Sequence, residues 1–142
     1  MLTALIFAEI GGEKQVCWEL VAHTIMNRHH SSQGPFAALQ TVGDIISQPH
    51  QYSGYGSTNY HKAMDYFNNS EEKNELLENI MDTVLPIYYG KEADPIQGAQ
   101  WYYCSQSVGN SNGSFIQANY DNFVSIADIP PRIIRFYTMG EK

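Results

Sequence analysis

Over the first two thirds of the chain, apolar positions recur mostly at helical spacing. Leu2 to Glu9 reads as a short, mostly buried helix, and Gly11 and Gly12 break it or bend it tightly. From Lys14 to His29, Cys17, Val21 and Ile25 recur every fourth residue, with Trp18, Ala22 and Met26 as a neighbouring row. Two adjacent rows make a broad apolar face, so a second helix is predicted here, closed by "HHSSQG". Phe36 to Ser47 is predicted as a third helix, with Phe36, Leu39, Val42, Ile45 and Ile46 inward. "QPHQYSGYGSTNY" mixes Pro, Gly and small polar residues with Tyr52, Tyr55 and Tyr60, the composition of a loop or irregular hairpin. A short helix follows from Tyr60 to Phe67. The clearest helical pattern is "NNSEEKNELLENIMDTVLPIYYGK". Ser70 is placed to cap it, and Leu76, Leu77, Ile80, Met81, Val84 and Leu85 form its stripe. Pro86 should kink or shorten that helix, and Gly90 should end it.

Beyond Lys91 the texture changes. "AQWYYCSQ" has strand-like composition, "GNSNGS" reads as a turn, and "FVSIADIPPRIIRFYTM" offers two short extended pieces around a double proline. Helices come first and a small β or irregular portion comes late, with no internal repeat. The expected class is α+β, mainly helical, in a single domain spanning residues 1–142.

Composition narrows the choice of partners. A net charge of −7 with only eight Lys and Arg leaves no basic stripe, so nucleic acid is not expected as a partner. The same charge opposes an anionic membrane, and no apolar run is long enough to span a bilayer. "MLTALIFAEIGG" lacks a basic region and carries a Glu, so it does not read as a signal peptide. Aromatics at 13% are plentiful enough to line a sugar-binding groove as well as a core. Cys17 and Cys104 fit either one disulfide or two buried thiols. The adjacent His29 and His30 at a helix end point in different directions, so neither a metal nor a cofactor is expected.

The candidate chemistry lies in "ALIFAEIGGEK". Glu9 interrupts an apolar run, with Ile6, Phe7, Ala8 and Ile10 around it. An ionised carboxylate in such surroundings is costly, so its pKa rises. A carboxyl that stays protonated near neutral pH can serve as a general acid. Gly11 and Gly12 would let a substrate or another backbone come close. Glu13, one helical turn on, would raise the pKa further if the turn persists. From the residues alone, Glu9 is either such an acid or the polar end of a buried helix, turned to water or paired with an Arg.

"FAEIGGE" resembles the motif that opens the catalytic domain of the SleB/CwlJ family of cell wall hydrolases, close to Tyr-Ala-Glu-Ala-Arg-Gly-Glu. Further segments resemble that family in order and spacing: "IMNRHHS", "ISQPHQYSG", "GAQWYYCS" and "RIIRFYTM". The resemblance covers about residues 2 to 138. It implies a lysozyme-like fold and cleavage of the β-1,4 bond between N-acetylmuramic acid and N-acetylglucosamine, with Glu9 matching the family's acid. The sequence departs from the motif at Gly11, which stands where the family has Arg, and at Cys104, which replaces a Tyr. Glu19 and His23 on the second helix are departures too.

A glycosidase working through water or a covalent intermediate uses two carboxylates, whereas a lytic transglycosylase needs one. "QYSGYG" carries no carboxylate, and Asp44 and Asp65 fall inside predicted helices, so the single-acid route is expected. A hydrolytic lysozyme with a second carboxylate and a non-catalytic glycan-binding module of the same shape are the alternatives. Gln51, Tyr52 and Ser53 are candidate substrate-binding residues, as are Tyr102 and Tyr103, which would alternate across an extended segment. Glu13 is a secondary candidate. Asn27 and Arg28 are expected to hold the helix end and its neighbouring loop. The partner would be peptidoglycan glycan strands at the bacterial cell wall, in the periplasm or outside the cell. Delivery would rest on a phage holin, a secretion machine or a longer parent chain. An injected toxin would call for an inhibitory immunity protein that plugs the groove.

Overall fold

The apolar run near the start forms α1, Leu2–Ile10. The computed structural model of the chain describes residues 1–32, 36–49, 51–69, 72–96, 100–103, 122–124 and 135–138. These fall into two compact units, Met1–Ala93 and Asp94–Lys142. A helix that is apolar on nearly all sides must be surrounded, and α1 is the central element of the first unit. Leu2, Ala4, Leu5, Ile6 and Ile10 are buried. Four helices pack against it: α2 (Gln15–His29), α3 (Val42–Ile46), α4 (Thr58–Asn69) and α5 (Glu75–Tyr88).

Both apolar rows predicted for the second helix are buried on α2, and so are Leu20, His23, Thr24 and Arg28. The Trp18 indole N–H donates to the Ile10 carbonyl at 3.2 Å, joining α2 to the end of α1. The third helix is shorter than its apolar spacing predicts. Thr41 is extended, and it starts a new helix through a capping box. The Asp44 N–H donates to Thr41 Oγ1 at 3.0 Å, and the Thr41 N–H donates to Asp44 Oδ2 at 3.1 Å. Phe36 is buried ahead of that break, in a turn. The fourth helix begins two residues earlier than predicted because Ser57 caps it, its Oγ accepting from the Tyr60 N–H.

The N-terminus of α5 differs from expectation. Ser70 lies outside the described residues, and the cap is Asn74, whose side chain accepts from the Leu77 N–H at 3.0 Å. The buried stripe is Leu77, Ile80, Val84 and Ile87, while Leu76 and Leu85 are exposed. Pro86 is accommodated inside the helix, which continues to Tyr88. Gly90, with φ of 72°, closes it. Its N–H donates to Ile87 O and the Lys91 N–H to Pro86 O, the paired bonds of a Schellman motif.

The second unit carries three short strands, β1 (Trp101–Tyr103), β2 (Asn122–Val124) and β3 (Arg135–Thr138). They form an antiparallel sheet in the order β1-β3-β2, with Tyr102 opposite Phe136 and Phe123 opposite Tyr137. The predicted sequence of helices first and a small β portion late is therefore borne out. The architecture is mainly helical α+β, consistent with a lysozyme-like fold. Among the described residues, no helix is long and apolar enough to cross a membrane.

Candidate active site

The last turn of α1 brings Glu9 to the edge of the core, where it is half-buried. The loop between α3 and α4 lies directly on it. A Cβ on Gly54 would stand 3.0 Å from the Ala8 Cβ and 3.2 Å from the Glu9 Cγ, so the missing side chain is what lets the loop approach. Two donors reach the carboxyl from this loop. The Ser53 hydroxyl donates to Glu9 Oε2 at 3.4 Å, and the Gly54 backbone lies close enough to the same group to favour its ionised form. Burial pushes the Glu9 pKa up, the two hydrogen bonds pull it down, and burial is the largest influence. The carboxyl therefore holds its proton above the usual carboxylate range. Glu13 is exposed beyond the glycine turn that ends α1, so burial, not a second charge, leads the shift.

The loop has an anchor on α2. Arg28 is buried, and its Nη1 donates to Gln51 Oε1 at 3.2 Å. Its guanidinium lies 4.3 Å from the Phe36 ring centroid and 5.1 Å from that of Tyr52. Tyr52 is buried too, and its hydroxyl has no hydrogen-bond partner among the described residues. Burial pushes that phenol up, the Arg28 charge lowers it, and the Glu9 charge raises it, so the ring lies within electrostatic reach of both.

Of the candidate residues, Glu9 and Ser53 are brought together directly. Gln51 and Tyr52 belong to the same loop, but here they face Arg28 and support the loop from beneath. Tyr102 and Tyr103 lie in β1, with side chains outside the described residues. Asp44 is exposed and engaged in its capping box, and Asp65 is exposed on α4. Cys17 is buried on α2, and Cys104 lies outside the described residues. Sequence reasoning missed Gly54, and it expected Arg28 to hold the helix end and its neighbouring loop without naming Gln51 as the residue it reaches. The only signal for Gly54 was a glycine directly after Ser53; nothing local linked Arg28 to a loop 23 residues away.

The model of the Cell Wall Hydrolase family matches residues 12–128. The chain belongs to the cell wall hydrolase family. No curated protein and no solved structure matches it. The resemblance to the SleB/CwlJ type is thereby borne out, and peptidoglycan-degrading activity at the cell wall follows at the level of the family. The matched span takes in Glu13, Arg28 and the Gln51–Gly54 loop, while Glu9 lies three residues ahead of it. Where the cell wall hydrolase motif carries Arg, Gly11 caps α1, its N–H donating to Phe7 O. A Cβ at this position would stand 2.6 Å from that oxygen, so any side chain here requires the helix end to shift.

Proposed function

We propose that this cell wall hydrolase is a lytic transglycosylase that cuts the β-1,4 bond between N-acetylmuramic acid and N-acetylglucosamine, with Glu9 as its one acid/base. The observation that carries the reading is the half-buried Glu9 carboxyl, raised by burial and met by Ser53 and Gly54. Protonated Glu9 gives its proton to the glycosidic oxygen as the bond from that oxygen to muramic C1 breaks. The leaving N-acetylglucosamine departs with a new hydroxyl. The muramic 6-hydroxyl then attacks C1, and its proton passes to the Glu9 carboxylate. The new bond from C1 to O6 closes a 1,6-anhydro ring, and the enzyme regains its starting state. Acid/base help of this kind accounts for about 10²–10⁴ in rate.

Ser53 and Gly54 support one half of this cycle, and burial supports the other. Their hydrogen bonds favour the ionised carboxyl, so Glu9 can release its proton despite its apolar setting. Burial favours the protonated form and readies the group for the next bond. In the described loop, Gln51 to Ser57 offers no carboxylate beside Glu9, in keeping with a single-acid route.

Digestion of purified peptidoglycan followed by mass spectrometry tests the proposal. Anhydro-muropeptides are expected, and reducing muramic ends would instead indicate hydrolysis through a second carboxylate. Glycan binding with no cleavage would indicate an idle module. Glu9→Gln with undiminished cleavage would overturn the role of Glu9.

A further inference from the structure

We infer that Arg28 is a positioning residue for Glu9, acting through the Gln51–Gly54 loop. The inference rests on the reading of Glu9 as the acid, but its geometry stands by itself. Arg28 is 4% exposed, a costly place for a guanidinium unless its surroundings compensate. Two aromatic faces do so, Phe36 at 4.3 Å and Tyr52 at 5.1 Å. Its Nη1 donates to Gln51 at 3.2 Å. Gln51 and Tyr52 immediately precede Ser53, which donates to the Glu9 carboxyl, and Gly54, whose backbone packs against Glu9. One buried cation thus grips one half of a four-residue segment, and the other half grips the acid.

Stacking on two rings while bonding a side-chain amide requires the flat guanidinium, which Lys cannot reproduce. Tightening this grip holds Ser53 and Gly54 at the carboxyl, and loosening it withdraws them. The consequence has a definite sign. Both groups favour ionised Glu9, so a shift that takes them from the carboxyl while the loop still covers it leaves burial less opposed and raises the Glu9 pKa.

Several other charged groups on the surrounding helices are engaged or placed elsewhere. Asp44 on α3 is tied to Thr41, and Glu78 on α5 accepts from the Tyr66 hydroxyl at 2.8 Å. His61 and Asp65 on α4 line an open cleft of ≈ 880 Å³ between α4 and α5. His23 on α2 is buried with a partner of its own. Tyr52 carries an electrostatic link to both Arg28 and Glu9.

The test is a direct carbon NMR titration of the Glu9 side-chain carboxyl in the full chain, beside the pH profile of peptidoglycan clearing. The variants are Arg28→Lys, Gln51→Ala, Ser53→Ala and Arg28→Lys with Ser53→Ala. Ser53→Ala should raise the Glu9 pKa, because a hydrogen bond to the ionised form is lost. Arg28→Lys and Gln51→Ala should move it in the same direction, and the double variant should move it by less than the sum of the singles. The alkaline limb of the activity profile should follow the pKa upward. A lowered melting temperature with the Glu9 titration unmoved in both Arg28→Lys and Gln51→Ala would make Arg28 merely structural and overturn the inference. Additive shifts in the double variant would overturn it as well. Gln51→Ala leaves the stacked cation in place, so it decides the matter if Arg28→Lys does not fold. Full cleavage by Glu9→Gln would remove the acid assignment but leave the titration result to stand or fall separately.

Discussion

Gly54 stands against Glu9 so closely that a single added methyl would lie 3.2 Å from the glutamate Cγ and 3.0 Å from the Ala8 Cβ. Neither neighbour is the free end of a flexible chain. Gly54→Ala is therefore expected to lift the loop from α1, destabilise the fold by about 1–3 kcal/mol and lower turnover together. Gly12→Ala is the control, because a Cβ there meets nothing within 4 Å. Thermal unfolding and peptidoglycan clearing of the two variants check the pair.

Glu9→Gln should keep the fold and lose about 10²-fold or more in turnover. Its stability should also respond to pH in a particular direction. The folded pKa of Glu9 is raised, so above the unfolded value, about 4.3, the folded state binds the proton more tightly than the unfolded chain. The native protein then loses stability as pH climbs from that value through the folded pKa, as the ionised group is forced into its buried site. Gln cannot ionise. Glu9→Gln should thus match the native protein in acid and gain on it toward neutral pH. Denaturant melts at pH 4 and pH 7 read this, and a constant difference between the two would contradict the shift.

Two adjacent leucines on α5 should behave oppositely. Leu77 is fully buried and Leu76 is 41% exposed. Leu77→Ala is expected to cost about 2–5 kcal/mol. Leu76→Ala should fall within about 0.5 kcal/mol of the native protein. Urea unfolding distinguishes them.

Asn74→Ala removes the side-chain acceptor from the first turn of α5 and should cost about 1 kcal/mol. The backbone N–H of Asn74 itself donates to the Tyr66 hydroxyl, so Tyr66→Phe should loosen the start of α5 as well. Amide hydrogen exchange in that turn is the direct measure.

The parts of the molecule that were legible in sequence are those set by local pattern. Glu9 was conspicuous as a charge in an apolar run, although the residues alone also fitted the polar end of a buried helix. The buried rows of α2 followed from residues four apart. The third helix was overextended because Phe36, Leu39, Val42 and Ile46 keep helical spacing across Thr41, where a capping box starts the chain afresh. Spacing and capping gave competing signals, and capping won. Leu76 and Leu85 were drawn into the stripe of α5 because an apolar side chain on a helix does not declare which way it faces. The grip of Arg28 on Gln51 joins residues far apart in the chain and could be seen only once the helices were placed.

The segment from Gln51 to Ser57 is fastened at both ends, by Arg28 at its start and by the Ser57 cap of α4 at its finish. It acts as a ruler of fixed length, with Ser53 and Gly54 as its graduations over the acid. One residue inserted or deleted there would carry the donors past the carboxyl while leaving every helix intact.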